Sequence, residues 1–293
     1  MKKLFGKTTD YLSLVKFSHT VFALPFALVG YFLGATSGGR GFSLRTFLLM
    51  LACMVFARSA AMAFNRYADQ RYDSMNPRTA GREIPSGKIS KRNALIFVTV
   101  SSILFIAATA LLNRLTFILS PVALILILGY SFTKRFTALC HLILGLGLSL
   151  APIGAYIAVT GTFAVLPVIY SAIVLSWVSG FDIIYALQDD SFDRETGLFS
   201  IPAVMSRRQA LSVSVALHIF SALAVAAAGV LGAGGPLYWA GALIFLGLLT
   251  YQHLIVRPDD LSRVNLAFGT TNGIAGVIYG LMVVLDLLIR QKI

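Results

Sequence analysis

Long apolar runs dominate the chain, and mostly short polar stretches separate them. Within the runs apolar and polar positions do not alternate, so they predict helices and not barrel strands. A helix crosses a bilayer with roughly 20 mostly apolar residues. Nine segments meet that measure: about 14–34, 43–64, 93–112, 115–133, 138–159, 163–185, 208–231, 236–256 and 268–289. The pattern predicts an all-α polytopic membrane protein, a bundle of nine transmembrane helices forming one domain over 1–293. Only two connecting stretches are long, 65–92 and 186–207. No Ser/Pro-rich linker sets off a second domain. The basic start at Met1-Lys2-Lys3 runs on through polar residues to Asp10. The first apolar stretch therefore reads as a retained helix and not a signal peptide.

Composition strengthens this picture. The chain is 57% hydrophobic and 12% charged, half the charged share of about 25% in soluble domains. A soluble single-core protein, a disordered tail and a disulfide-stapled domain are all excluded by it. Lys and Arg number 24 against 12 acids, a net charge of +12. In a membrane protein that excess first reports topology, because basic residues collect on the cytoplasmic side. With the N-terminus inside, 18 basic residues fall in cytoplasmic stretches and 5 outside, and Arg58 lies within a span. The expectation is N-in and C-out in the cell inner membrane, with the lipid bilayer and not nucleic acid as the partner. Cys53 and Cys140 sit far apart in apolar runs and read as filler.

The acids carry more information than the bases. Eight of the 12 fall in two windows: Asp69, Asp73 and Glu83, then Asp182, Asp189, Asp190, Asp193 and Glu195. Each window follows an even-numbered span, the second and the sixth. That spacing points to two related halves whose acidic loops face one another.

The first window holds Asn65, Asp69 and Asp73, an NxxxDxxxD. Steps of four place the three side chains on one stripe of a helix. Two carboxylates a turn apart repel unless a cation lies between them. Hard oxygen ligands suit Mg²⁺, which keeps room for phosphate oxygens. A solvated helix end, with Asp73 answering Arg71 and Arg66, is the competing reading. The second window holds Asp189-Asp190-Ser-Phe-Asp193, where a solvated acidic loop competes in the same way. Two such clusters at matching helix ends together indicate a divalent-metal diphosphate site.

Basic residues between the clusters fit the same ligand. The turn-rich loop Asn76–Lys88 presents Arg78, Arg82 and Lys88. Arginine grips phosphate bidentately and lysine offers a point charge; simple positive-inside topology is the alternative. Tyr130 and Lys134 form an i, i+4 pair at the end of the fourth span, where an interfacial anchor pair is the plainer reading. Arg58 sits seven residues before Asn65, on nearly the same stripe, and Asp182 seven before Asp189. An intramembrane charge is a functional candidate, with snorkelling to the interface as the rival account for Arg58. His19, His141, His218 and His253 show no paired spacing, so metal ligation by histidine is not expected. Gly30/Gly34, Gly269/Gly273 and Gly276/Gly280 have the GxxxG spacing that lets helices approach closely. No Walker, Rossmann or GxSxG signature is present.

At these residues the sequence resembles the UbiA superfamily of intramembrane prenyltransferases. The resemblance covers nearly the whole chain. It rests on NxxxDxxxD at Asn65/Asp69/Asp73, YxxxK at Tyr130/Lys134 and DxxxD at Asp189/Asp193. The segments Asn76–Gly87 and Gly180–Asp189 are similar to the 4-hydroxybenzoate polyprenyltransferase branch. They are especially similar to bacterial members assigned to the futalosine route of menaquinone synthesis, where the acceptor is taken to be 1,4-dihydroxy-6-naphthoate. The resemblance implies that Asn65, Asp69, Asp73, Asp189 and Asp193 bind Mg²⁺, which bridges a polyprenyl diphosphate. It implies that Arg78, Arg82, Lys88 and Lys134 stabilise the leaving diphosphate, and that an aromatic ring carbon is alkylated. It gives Tyr130 the task of placing the diphosphate or steadying an allylic cation, and Asp182 a place on the acceptor side.

Two rivals carry distinct expectations. A CDP-alcohol phosphotransferase motif begins Asp-Gly, and no Asp-Gly occurs here. A divalent-cation transporter would hold its acids near the bilayer midplane, whereas these lie at helix ends.

Overall fold

The computed structural model describes residues 10–11, 13–15, 22–37 and 40–290. His19, Lys2, Lys3, Lys7, Lys16, Lys292 and the start of the expected first span fall outside the described residues. The chain is all-helical over most of that length. In order come α1 (Leu24–Thr36), α2 (Leu44–Ala68), α3 (Gln70–Met75), α4 (Lys91–Leu112), α5 (Arg114–Thr133) and α6 (Cys140–Thr160). Then follow α7 (Val165–Ala186), a 3₁₀ turn (Leu187–Asp189), α8 (Asp190–Thr196), α9 (Ile201–Val204), α10 (Arg207–Leu231) and α11 (Pro236–Ile255). A π-helical stretch (Leu266–Thr271) leads into α12 (Asn272–Arg290). Among the described residues, eight helical stretches of 20 to 32 residues are long and apolar enough to cross a membrane, and α1 is a shorter apolar helix of 13.

Local chemistry sets many of the ends. Ser43, Ser90, Asn113 and Ser206 cap α2, α4, α5 and α10 by accepting from a backbone N–H three residues on. At Asn113 and Ser206 the third helical residue bonds back, closing capping boxes. Proline lies within α5 at Pro121 and within α6 at Pro152, where packed neighbours can tolerate the lost N–H.

The helices divide into a tight half and a looser one. α1, α7, α10, α11 and α12 enclose an aromatic cluster around Trp177, Phe26, Phe245 and Tyr279. Trp177 lies 5.4 Å from Phe26 and 5.5 Å from Phe245, ring centre to ring centre. On the other side α2 packs on α4, and α5 on α4 and α6. Large apolar side chains such as Ile103, Ile125, Leu223 and Leu243 remain exposed on the long helices, as lipid-facing positions require. The GxxxG expectation holds for α1. A Cβ on Gly30 would stand 2.0 Å from the Pro152 carbonyl oxygen, so α1 and α6 touch backbone to backbone there. Gly276 and Gly280 likewise abut Trp177 and Pro25, while Gly269 faces open space.

Two details shape the site. The expected second span ends at 64, but α2 runs on to Ala68 and carries Asn65 with it. And the π-helical stretch adds a residue to its turn, which lets Phe268 stack on Tyr185 at 4.1 Å. Asn272, directly after it, accepts from Trp177 Nε1 at 2.8 Å and donates to Gln252 Oε1 at 2.9 Å. This buried network ties the bulge to α7 and α11.

Candidate active site

The first acidic motif sits where α2 gives way to α3. Asp69 has φ −90° and ψ 5°, which interrupts the helix. The backbone bonds nevertheless continue across it, from Asp69 N to Asn65 O at 2.9 Å and from Asp73 N to Asp69 O at 2.8 Å. The predicted stripe therefore survives a small break, and Asn65 Nδ2 donates to Asp69 Oδ2 at 3.1 Å. The second motif spans the 3₁₀ turn and α8, so Asp189 and Asp193 stand one turn apart at the end of α7.

The two loops meet, as the paired spacing predicts. Asn76 Nδ2 donates to Asp189 Oδ1 at 3.0 Å, and Arg78 grips both oxygens of Asp189, with Nε at 2.9 Å from Oδ1. Arg78 also donates to the Tyr185 hydroxyl at 2.9 Å and lies over that ring. Each remaining carboxylate has a partner of its own. Asp69 Oδ2 lies 3.2 Å from Lys134 Nζ, Asp73 Oδ1 2.6 Å from Arg82, and Asp193 Oδ2 accepts from Ser200 at 2.8 Å. Asp73 thus answers Arg82 and not the adjacent Arg71 or Arg66. Asp190 turns away and pairs with Arg207 at 2.7 Å.

These side chains line one cavity of 290 Å³. Arg58, Asn65, Asp69, Asp73, Arg78, Arg82, Tyr130, Lys134, Asp182, Asp189 and Asp193 all face it. Lys88 does not. Gly87 turns the backbone at φ +77°, and Ile84 and Ile89 on either side are buried against Ala63, Ala94 and Val98. That anchor leaves Lys88 exposed on the outside of the loop, away from the cavity. Residues beyond the predicted set contribute instead: Asn76, Arg66, Tyr185, His141 and Ser200 also line the cavity. Asn76 lay within the turn-rich loop, but the others carried no spacing signal.

The residues present suit a hard divalent cation and a diphosphate. Asp69 Oδ1 and Asp73 Oδ2 are buried oxygens without a hydrogen-bond partner. Burial holds the Asp69 carboxyl above the usual carboxylate range, with Lys134 opposing that shift. Such oxygens gain when a cation supplies the missing partner. Among the described residues, no three His, Cys, Asp or Glu side chains already converge as a metal cage. The carboxylates are held apart by Arg78, Arg82 and Lys134.

A second cavity of 380 Å³ adjoins the first. It runs between α2, α4, α5 and α6 and is lined almost wholly by apolar groups. Arg58, Met62, Tyr130, Leu144 and Leu148 belong to both cavities, so a polar chamber opens into an apolar groove at these residues. Histidine pairing is also present where spacing gave none. His218 Nδ1 lies 2.7 Å from His253 Nε2, and His141 Nδ1 lies 2.7 Å from Asp182 Oδ2. Cys53 and Cys140 are both free thiols.

Comparison with known proteins agrees with this geometry. The UbiA prenyltransferase family matches residues 23–275. The chain belongs to the UbiA prenyltransferase family. A UbiA homolog from Aeropyrum pernix K1 superposes with a TM-score of 0.79 at 31% identity, covering 93% of this chain and 98% of that one. A UbiA homolog from Archaeoglobus fulgidus, in a structure with GPP and Mg²⁺ bound, shares the fold at a TM-score of 0.73 and 20% identity over 94% of this chain and 99% of its own. Among curated relatives, the 4-hydroxybenzoate octaprenyltransferase of Photobacterium profundum is 34% identical over 55% of this chain and 56% of its own length. That of Tolumonas auensis is 32% identical over 62% of this chain and 63% of its own. The matched stretches thus span somewhat over half the length of these relatives.

Proposed function

We propose that this UbiA-family chain is a Mg²⁺-dependent polyprenyltransferase. It moves a polyprenyl group from polyprenyl diphosphate to an aromatic hydroxy acid, 4-hydroxybenzoate or 1,4-dihydroxy-6-naphthoate, in membrane quinone synthesis. The single observation that carries this reading is the junction of the two cavities. A substrate with a charged head and a long apolar tail fits a carboxylate- and arginine-lined chamber that opens into an apolar groove.

Asn65, Asp69, Asp73, Asp189 and Asp193 would hold the metal, which when bound neutralises diphosphate charge and eases departure of the leaving group. Arg78, Arg82 and Lys134 take the diphosphate oxygens as charge builds on them. In this structure the same three groups are spent on Asp189, Asp73 and Asp69, so they stand within reach of both the acids and an incoming anion. Arg58 and Tyr130, at the junction, face the reacting end of the tail. Asp182 lies on the acceptor side. The groove shields the tail and the allylic centre from water, which would otherwise capture the cation. Lys88 is left out of this assignment.

The whole of 1–293 forms one domain in this reading. It places nine spans in the cell inner membrane, α1 completing the ninth, with the N-terminus and the site toward the cytoplasm. The 18-to-5 distribution of basic residues is its support. Curated relatives named 4-hydroxybenzoate octaprenyltransferase favour an aromatic acceptor.

The test is a competition assay. Detergent-purified protein with Mg²⁺ and a polyprenyl diphosphate is offered 4-hydroxybenzoate, 1,4-dihydroxy-6-naphthoate and 1,4-dihydroxy-2-naphthoate together, and products are weighed by mass spectrometry. A prenylated product from one of the first two acceptors is expected. No prenylated product, together with Mg²⁺ flux in liposomes, would hand the case to a cation transporter.

A further inference from the structure

His141 had no partner in the sequence, and the structure gives it two. It is the second residue of α6, at the end of the bundle that carries both acidic motifs, and it is 3% exposed. Its Nε2 receives the backbone N–H of Ile201, the first residue of α9, at 3.2 Å. An N–H aimed at Nε2 needs a lone pair there, which leaves the ring proton on Nδ1. Nδ1 lies 2.7 Å from Asp182 Oδ2, so the imidazole donates to the carboxylate. One bond sets the tautomer and angle of the ring, and the other sets the carboxylate.

Asp182 lines the polar cavity. It precedes Asp189 by seven residues, about 10 Å along a helix. Val178 and Phe181 on the same helix, Phe268, and the junction residues Tyr130, Leu144 and Leu148 also line this cavity. Its partner differs from those of three of the metal-motif acids. Asp69, Asp73 and Asp189 are paired with lysine or arginine, and Asp182 with the imidazole of His141. Asp182 is thus held by a ring and not by a phosphate-seeking cation, beside the residues where head and tail of the donor would meet.

We propose that Asp182 is the base of the transfer and that His141 is its positioning residue. This rests on the prenyl-transfer reading above. As the prenyl C–O bond breaks, diphosphate departs with the bonding pair and the prenyl carbon bonds to a ring carbon of the acceptor. That carbon then bears both the new substituent and its original hydrogen. Asp182 takes the hydrogen as a proton, and the C–H electron pair restores the aromatic ring. The carboxylic acid so formed releases its proton to water in the polar cavity.

The test uses the full-length protein with Mg²⁺, a polyprenyl diphosphate, and 4-hydroxybenzoate carrying hydrogen or deuterium at the two positions beside the hydroxyl. Wild type is expected to show no deuterium effect, because ring attack is slower than proton loss. Asp182→Asn should lower kcat about 100-fold or more, leave the KM for polyprenyl diphosphate unchanged, and raise the deuterium effect clearly above one. His141→Gln keeps an acceptor for Ile201 but loses the Nδ1 donor, and should lower kcat about tenfold. His141→Asn restores a donor at that place and should turn over near the wild-type rate.

Mg²⁺-dependent binding of a non-reacting geranyl thiodiphosphate, measured for each variant, shows that the site has folded; if His141→Gln has not, Asp182→Asn and His141→Asn decide. Wild-type kcat in Asp182→Asn, or a slow variant whose deuterium effect stays at one, overturns the base. Equal losses in His141→Asn and His141→Gln overturn the positioning role. A wild type that prenylates no aromatic acceptor overturns the transfer reading, and the pair with it.

Discussion

Arg78 joins the two halves of the site, and its replacement by lysine tests the whole arrangement. It reaches across 111 residues of sequence to hold both oxygens of Asp189, and a third N–H goes to Tyr185. Lysine keeps the charge but not the planar fork. It can serve one oxygen at a time, leaving the Tyr185 hydroxyl to water and the second Asp189 oxygen with at most Asn76. A hydrogen bond to a charged group contributes about 1.5–3 kcal/mol, and partial exposure of this pair pulls the figure to the low end. The loss should therefore be about 1.5 kcal/mol, or roughly tenfold in kcat/KM for polyprenyl diphosphate. Arg78→Ala removes the charge as well and should cost at least about 100-fold. The assay is an initial-rate series in detergent at saturating acceptor, with thermal unfolding measured on the same preparations. If Arg78→Lys matches wild type in kcat/KM, Arg78 does not handle the diphosphate. If both variants only lower the melting temperature while the folded fraction turns over normally, it is a strut between loops and nothing more.

Asp69→Asn and Asp189→Asn should each abolish transfer while the purified protein stays folded; retained turnover in either would remove that residue from the metal set. EDTA should stop the reaction and Mg²⁺ restore it, and activity persisting in chelator would refute metal dependence. Leucine at Gly154 should enter the groove without striking protein, since a Cβ there meets nothing within 4 Å. Turnover of a long polyprenyl diphosphate should then fall about tenfold relative to geranyl diphosphate, and equal losses for both would misplace the tail. Gly30→Ala should lower the melting temperature through overpacking of about 1–3 kcal/mol, because the new Cβ has no room beside Pro152; an unchanged melting temperature would deny the close α1–α6 contact.

The helices were legible because a bilayer asks for one thing, a long apolar run, and hydropathy reports that directly. Where the backbone does something finer, hydropathy is silent. The turn of π-helix at Leu266–Thr271 adds one residue to an apolar run and changes no average, yet it brings Phe268 onto Tyr185. Lys88 shows the same limit at the site. Its charge and its loop matched the ligand, but buried Ile84 and Ile89 decide which way the loop turns, and they hold Lys88 outside.

The acids were legible for a different reason. In a chain with 12 carboxylates, two repeating clusters stand out, and a stripe of i, i+4 positions is a local property that sequence spacing can express. The pairing of Asp182 with His141 has no such local signature. Their bond joins residues 41 apart, and the bond that sets the imidazole tautomer comes from Ile201, 60 residues on. A histidine with one scattered position looks like filler in an apolar helix. Only the packing of α6 against α7 and α9 reveals that it has a carboxylate on one nitrogen and a backbone donor on the other. The site thus has two layers of different visibility. The charged groups proposed to meet the metal and diphosphate lie on motifs at helix ends, where spacing displays them. The pair proposed to handle the acceptor is joined between α6 and α7, where tertiary contact alone assigns the partners.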